Sequence, residues 1–219
     1  MLFAVNSPEI LLGLLVGFLA GCALRATAAA AVCRRPRPWL VLTRPRLWLD
    51  PYGAVAAAIG GAGWSSRPEL LGRDRGGARG VALVVTGALS HAVLAAAGLW
   101  WLRSASFPHV TEILSTVAVL HGDQALLATF QQRVAAGFAV ENLACGLLLF
   151  VPIPPLELGS VLWAALPSTP TARRVAYHLL EEQWGVAALL VLLLLPLAGD
   201  QPLLLALLGH AGDAILHAL

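Results

Sequence analysis

Residues 10–32 read ILLGLLVGFLAGCALRATAAAAV, and this stretch decides the class of fold. It is a run of roughly 20 apolar residues, the length a helix needs to cross a bilayer. It is rich in Leu and Ala and does not alternate apolar with polar positions, as a barrel strand would. In lipid every backbone N–H and C=O must be satisfied within the chain, which leaves a helix. Residues 1–8 hold no basic cluster, and no small-residue cleavage site leads into a soluble domain, so the segment reads as a retained span rather than a signal that is removed.

Composition extends that reading to the whole chain. Hydrophobic residues make up 58% of the 219 positions and charged residues 12%, where a soluble domain averages about 25% charged. So few charges cannot cover a water-facing surface, and the expected fold class is an all-α polytopic membrane protein in a single membrane domain, 1–219. The net charge is +2, and all 14 basic residues are Arg. An Arg-only basic set with abundant Ala, Gly, Leu and Pro points to a GC-rich coding sequence. The arginines gather at 33–46, 67–79 and 173–174. Positive-inside bias places those loops in the cytoplasm. They form no nucleic-acid stripe, so the expected partner is the lipid bilayer and not nucleic acid. The expected location is a bacterial cell membrane, crossed several times.

Further spans are expected at 80–102, with Trp100 and Trp101 at the far interface, at 134–151, and at 184–198. The prolines between residues 33 and 50 oppose a regular helix, and Val41-Leu42-Thr43 and Leu47-Trp48-Leu49 read as short extended pieces. Residues 53–64 are small and apolar but too short to cross, with arginines on both sides. A re-entrant hairpin over 41–64 is therefore expected. Residues 103–126 are mixed and read as extracytoplasmic, with 114–120 as an amphipathic stretch lying on the membrane. A short apolar helix is expected at 156–166 and an amphipathic interfacial helix at 201–219. In the latter, His210, Asp213 and His217 share one face at i, i+3, i+7. They read as its polar side, with a two-His, one-carboxylate metal site as the alternative.

Several side chains stand out in the spans. Arg25 lies toward the end of the first one, where it either snorkels to the interface or forms a buried ion pair with Glu141 or Glu157. Cys22, Cys33 and Cys145 show no CxxC spacing, and Cys22 and Cys145 read as small buried residues. Asn142 and His91 are placed to hydrogen-bond between helices.

The most specific local sequence is Phe150-Val151-Pro152-Ile153-Pro154-Pro155-Leu156-Glu157-Leu158-Gly159. It resembles the PIPPLDGG-type motif of the site-2 protease family of intramembrane zinc metalloproteases. In that family the motif's Asp is the third zinc ligand, and the prolines and glycine break a helix so that the carboxylate turns inward. Glu157 stands where that Asp would be, and Leu158 replaces the first Gly. Other resemblances follow in order: Leu49-Asp50-Pro51-Tyr52-Gly53 to the LDPLG turn, Val41-Leu42-Thr43-Arg44-Pro45 to the LTLNP strand, and Gly63-Trp64-Ser65-Ser66-Arg67-Pro68 to GWAKPVP. Gly87-Ala88-Leu89-Ser90-His91-Ala92-Val93-Leu94 resembles GPLANLLL, with His91 where Asn is usual. Asn142-Leu143 precedes Pro152 as an Asn-Leu pair does in the family, and Arg173-Arg174-Val175-Ala176-Tyr177 has a family look. The resemblance implies a site-2-protease-like core with a re-entrant hairpin after the first span and a Pro-broken span near 150–157.

The family's chemistry needs HExxH in the first span, two histidines one turn apart holding zinc and a Glu activating the bound water. The chain contains no HExxH, and its first His is His91. Counting back from the LDPYG turn puts the motif's place at Leu19-Ala20-Gly21-Cys22-Ala23. The expected catalytic set is empty and no cofactor is expected. Arg25, Glu141, Asn142, Pro152, Pro154, Pro155, Glu157 and Gly159 are expected to be structural or cleft residues. The expected function is that of a catalytically inactive relative, a pseudoprotease serving as scaffold, accessory subunit or regulator that binds another membrane protein or a transmembrane helix. The alternative is an active metalloprotease with zinc on Glu157, His91 and Cys22, with Glu141 as the available base. A third reading is a small transporter or channel, which calls for paired half-helices in two repeated halves, and no internal symmetry is visible.

Overall fold

A computed structural model of the chain describes residues 1–65, 77–106, 109–123, 127–165, 169–180, 182–196 and 201–219. Among these residues every regular element is helical. They are α1 (Pro8–Val32), α2 (Pro51–Gly60), α3 (Gly77–Ser104), α4 (Thr116–Leu120), α5 (Phe130–Leu148), α6 (Glu157–Ala165), α7 (Pro170–Leu180), α8 (Trp184–Leu194) and α9 (Leu203–Ala218), with short 3-10 turns between some of them.

Among the described residues, two helices are long and apolar enough to cross a membrane, α1 and the Ala78–Ser104 part of α3. Each is apolar on its inner and its outer side. On α1, Ile10, Leu14, Phe18 and Cys22 are buried, whereas Leu12, Leu15, Val16 and Leu19 are exposed. On α3 a ridge of Val81, Val85, Leu89 and Val93 is exposed at four-residue spacing. A helix that is hydrophobic all round suits lipid on its outer face, where water would penalise it.

The hub is α5, which packs most extensively against α1 and α3. It is buried along most of its length, so it tolerates Glu141 and Asn142 only where protein partners meet them. It begins at Phe130, before the start that hydropathy gives. Thr129 and Gln132 form a capping box there, with the Thr129 N–H donating to Gln132 Oε1 at 3.1 Å and the Gln132 N–H to Thr129 Oγ1 at 3.2 Å. Glycines set the close approach of α1 and α5. A methyl group at Gly17 would lie 3.0 Å from the Phe138 carbonyl oxygen, and one at Gly137 2.6 Å from that of Ile10. Gly13 likewise faces the Val134 backbone. Backbones can come this near only with small residues at the contact.

Several expectations are corrected. Residues 41–49 hold no strand. Pro38–Thr43 and Pro45–Leu47 are 3-10 turns, and Leu49 makes an isolated antiparallel bridge to Ser65. Proline at the start of each turn fixes φ near the helical value and removes a ladder donor. The chain does double back after α2. Asp50 caps that helix by accepting from the Gly53 N–H at 2.8 Å, and Gly61 ends it in the left-handed region at φ 82°. Gly63 and Trp64 then return against Gly53 and Ala57. The stretch 114–120 does not lie on a surface. Leu114, Thr116, Val119 and Leu120 are buried, because α4 packs against α5 and α9.

Residues 184–198 do not form one long helix. Pro196 stops α8 at Leu194, and eleven residues rise only about 16 Å. Together with Pro170–Leu179 it forms a pair apolar and long enough to cross but bent by 57°. The C-terminal helix α9 packs into the bundle through Leu204, Leu205, Leu208 and Leu216. Arg67, Arg73 and Arg75, together with Leu166 and residues 197–198, lie outside the described residues.

Candidate functional site

The break after α5 brings the first polar pair together. Residues 151–156 run without regular helix, and the Pro154–Pro155 peptide is cis. Pro154 and Pro155 are buried, whereas Pro152 is exposed. Gly159 and Gly185 let the chain pass, since a methyl group on either would collide with the Ile153–Pro154 backbone. The Leu158 N–H donates to the Leu149 carbonyl at 3.3 Å, tying the start of α6 back to the end of α5. Glu157 is thus the first residue of α6, where the unpaired amides of a helix N-terminus favour a carboxylate.

Its partner is Arg25. The guanidinium of Arg25 and the carboxylate of Glu157 form an ion pair, with side chains 7% and 5% exposed. Arg25 therefore does not snorkel. Helix α1 continues two turns past it to Val32, and Ala26, Ala29 and Ala30 are buried beside it. Gly87 of α3 faces the pair, a methyl group there lying in ordinary contact with Arg25 Nε at 3.5 Å. Of the two acids weighed as partners for Arg25, Glu157 is the one that meets it.

A second cluster lies one turn back along α1. His91 Nδ1 donates to Asn142 Oδ1 at 3.1 Å, which assigns the ring proton to Nδ1. Asn142 Nδ2 donates to the carbonyls of Gly17 at 3.2 Å and Phe138 at 3.0 Å. Gly21 makes space for the imidazole, since a methyl group there would lie 2.6 Å from His91 Cε1. The stretch Leu19-Ala20-Gly21-Cys22-Ala23 thus turns a bare glycine toward the His91–Asn142 pair.

Glu141 is fully buried, and Cys145 Sγ donates to its Oε1 at 3.3 Å. Its Oε2 has no hydrogen-bond partner among the described residues. Cys22 and Cys145 are buried free thiols, and Cys33 is partly exposed. The residues do not fit a zinc ion. Glu157 is occupied by Arg25 and His91 by Asn142, and among the described residues no three His, Cys, Asp or Glu side chains converge as a metal site. Cys22, His91 and Glu157 are therefore not brought together. On α9, Asp213 Oδ1 accepts from the Thr116 N–H at 2.6 Å, and His210 and His217 are exposed. Asp213 is spent on holding α4, which its place in a polar face did not foretell.

Sequence reasoning missed the glycine stripe Gly13, Gly17, Gly21, although its four-residue spacing is the mark of close helix packing. It also missed Gly185, which has no local signal. No family model, curated protein or solved structure matches the chain.

Proposed function

We propose that this chain is a catalytically inactive, site-2-protease-like membrane protein that crosses the bilayer several times and holds another transmembrane helix as a scaffold or accessory subunit. One observation carries this reading. Glu157, which stands at the place of the family's ligand Asp, is neutralised by Arg25 from the helix that would carry the metal-binding histidines. A guanidinium takes the place of the metal's charge, so a carboxylate retained in the motif has a structural use without catalysis. The glycine face of α1 filled by His91 and Asn142 supports the same view, because the space for a water-activating group is taken up by side chains. The exposed apolar ridge of α3 supports contact with lipid or with a partner helix.

Zinc content and proteolysis test this together. The protein purified in mild detergent is expected to hold substoichiometric zinc by elemental analysis, and to leave a co-expressed transmembrane reporter uncleaved while co-purifying with it. Equimolar zinc that disappears in Glu157→Ala or His91→Ala would overturn the reading. So would reporter cleavage that Glu157→Ala abolishes.

A further inference from the structure

The chain leaves α1 through a basic, proline-rich segment, CRRPRPWLVLTRPRLWLD at residues 33–50. Arg34 adopts the left-handed conformation at φ 54°, where L-residues other than Asn, Asp and Gly seldom sit. The Arg34 and Arg35 N–H groups close the last turn of α1 on the Ala31 and Ala30 carbonyls, at 2.8 and 3.0 Å. The reversal sends the segment back along α1, where Val41 packs on Ala26 and Ala30. Within residues 35–47 lies a cavity of about 620 Å³, the size of a small-molecule site. Arg35, Arg37 and Arg44 line it, together with Leu40, Val41 and Leu47.

Among the described residues, no lining residue is acidic. Arg37 and Arg44 are exposed, and among the described residues no carboxylate pairs with either. Arginine forks suit phosphate oxygens, which they meet with paired hydrogen bonds. The apolar side of the cavity and the exposed Trp39, Leu40 and Leu42 beside it suit acyl chain and interface rather than water. The cavity also lies beside the last turns of α1, a helix apolar enough to cross a bilayer. We infer that the pocket formed by Arg35, Arg37, Arg44, Leu40 and Leu47 binds the phosphate of an anionic phospholipid headgroup, with the acyl chains running down beside α1.

The inference needs only that α1 spans a membrane, and it stands whether or not the chain is a pseudoprotease. The test is native mass spectrometry of the full chain in a nonionic detergent, titrated with a phosphatidylglycerol, a phosphatidylcholine of the same acyl chains, and inorganic phosphate. Wild type is expected to bind phosphatidylglycerol about tenfold more tightly than phosphatidylcholine, in keeping with charge-driven headgroup recognition. Arg37→Gln/Arg44→Gln is expected to abolish that preference. The charge-matched control Arg103→Gln/Arg174→Gln is expected to keep it, and Arg37→Lys/Arg44→Lys, which preserves charge, to keep part of it. Equal loss in the Gln pair and the control would reduce the effect to net charge and overturn the inference. Inorganic phosphate displacing the lipid at equal concentration would assign the pocket to free anions and overturn it too. Circular dichroism of each variant separates lost binding from lost fold.

Discussion

Arg25 of α1 and Glu157 of α6 form an ion pair in which both side chains are buried, across a break in the chain that brings the two helices together. Neither group has water to fall back on. Burying a lone ion costs several kcal/mol, and the attraction between the two offsets that cost only while both are present.

Removing one partner should therefore cost far more than removing both. Glu157→Leu alone, or Arg25→Met alone, is expected to destabilise the protein by about 3–5 kcal/mol, as loss of one member of a buried pair does. The double variant Arg25→Met/Glu157→Leu is expected to recover most of that loss. Unfolding in detergent with a chemical denaturant measures all three. Additive losses in the double variant would mean that the two charges are solvated separately.

The glycine face of α1 makes a different claim. At Gly21 a methyl group would strike side chains, His91 first and Asn142 second, whereas at Gly13 it would strike the Val134 backbone, so loss of the His91 ring removes the larger part of the Gly21 clash alone. Each Ala substitution is expected to cost roughly 1–3 kcal/mol, the usual range for overpacking. Adding His91→Ala should relieve Gly21→Ala and leave Gly13→Ala unrelieved. Thermal melts of the four variants decide this, and relief at both positions or at neither would contradict the packing described for α1 and α5.

Sequence and structure part company along a physical line. The apolar lengths of residues 10–32 and 80–102 are a one-dimensional property, and the helices built there are α1 and α3. The partnership of Arg25 is three-dimensional. Hydropathy offers a charge near a span's end an easy route to the interface, and only the fold brings Glu157 to Arg25 instead. Residues 41–49 read as extended because Val and Thr favour strands, yet prolines at 38 and 45 favour tight turns, and among the described residues no strand lies beside them to pair with. Residues 114–120 read as amphipathic, with Ser115 and Thr116 among apolar neighbours. The Thr116 amide is instead met by Asp213, nearly a hundred positions away, and no local pattern carries that contact.

Acid should weaken the fold through His121. This imidazole is partly buried against Phe3, with ring centroids 5.0 Å apart. Burial first, and the positive Met1 amine second, hold it below its ordinary value of 6.5. With the folded pKa lowered, the unfolded chain takes up the proton first as pH falls. The stability due to His121 is thus fully present above about pH 6.5 and is lost as pH falls through that value toward the folded pKa. The melting temperature is expected to drop between pH 7.5 and pH 5.5, a window set about that linkage, and to drop less in His121→Gln. An equal drop in wild type and variant would place the titrating group elsewhere.

The His91–Asn142 bond, which meets α1 at Gly17 and Gly21, offers the last test. Asn142 is also held by the Gly17 and Phe138 carbonyls, so its amide is fixed before His91 reaches it. A bond between two pre-positioned groups needs little ordering, yet interhelical hydrogen bonds in membrane proteins still average only about 0.6 kcal/mol and seldom exceed about 1.7. A double-mutant cycle of His91→Ala and Asn142→Ala is expected to give a coupling of about 1 kcal/mol, toward the upper part of that range because both groups are buried. Coupling indistinguishable from zero would mean that the two side chains only fill space. Neither single variant is expected to gain zinc, since freeing His91 leaves it with no second imidazole on α1 to share a metal, and zinc titration of Asn142→Ala measures that directly.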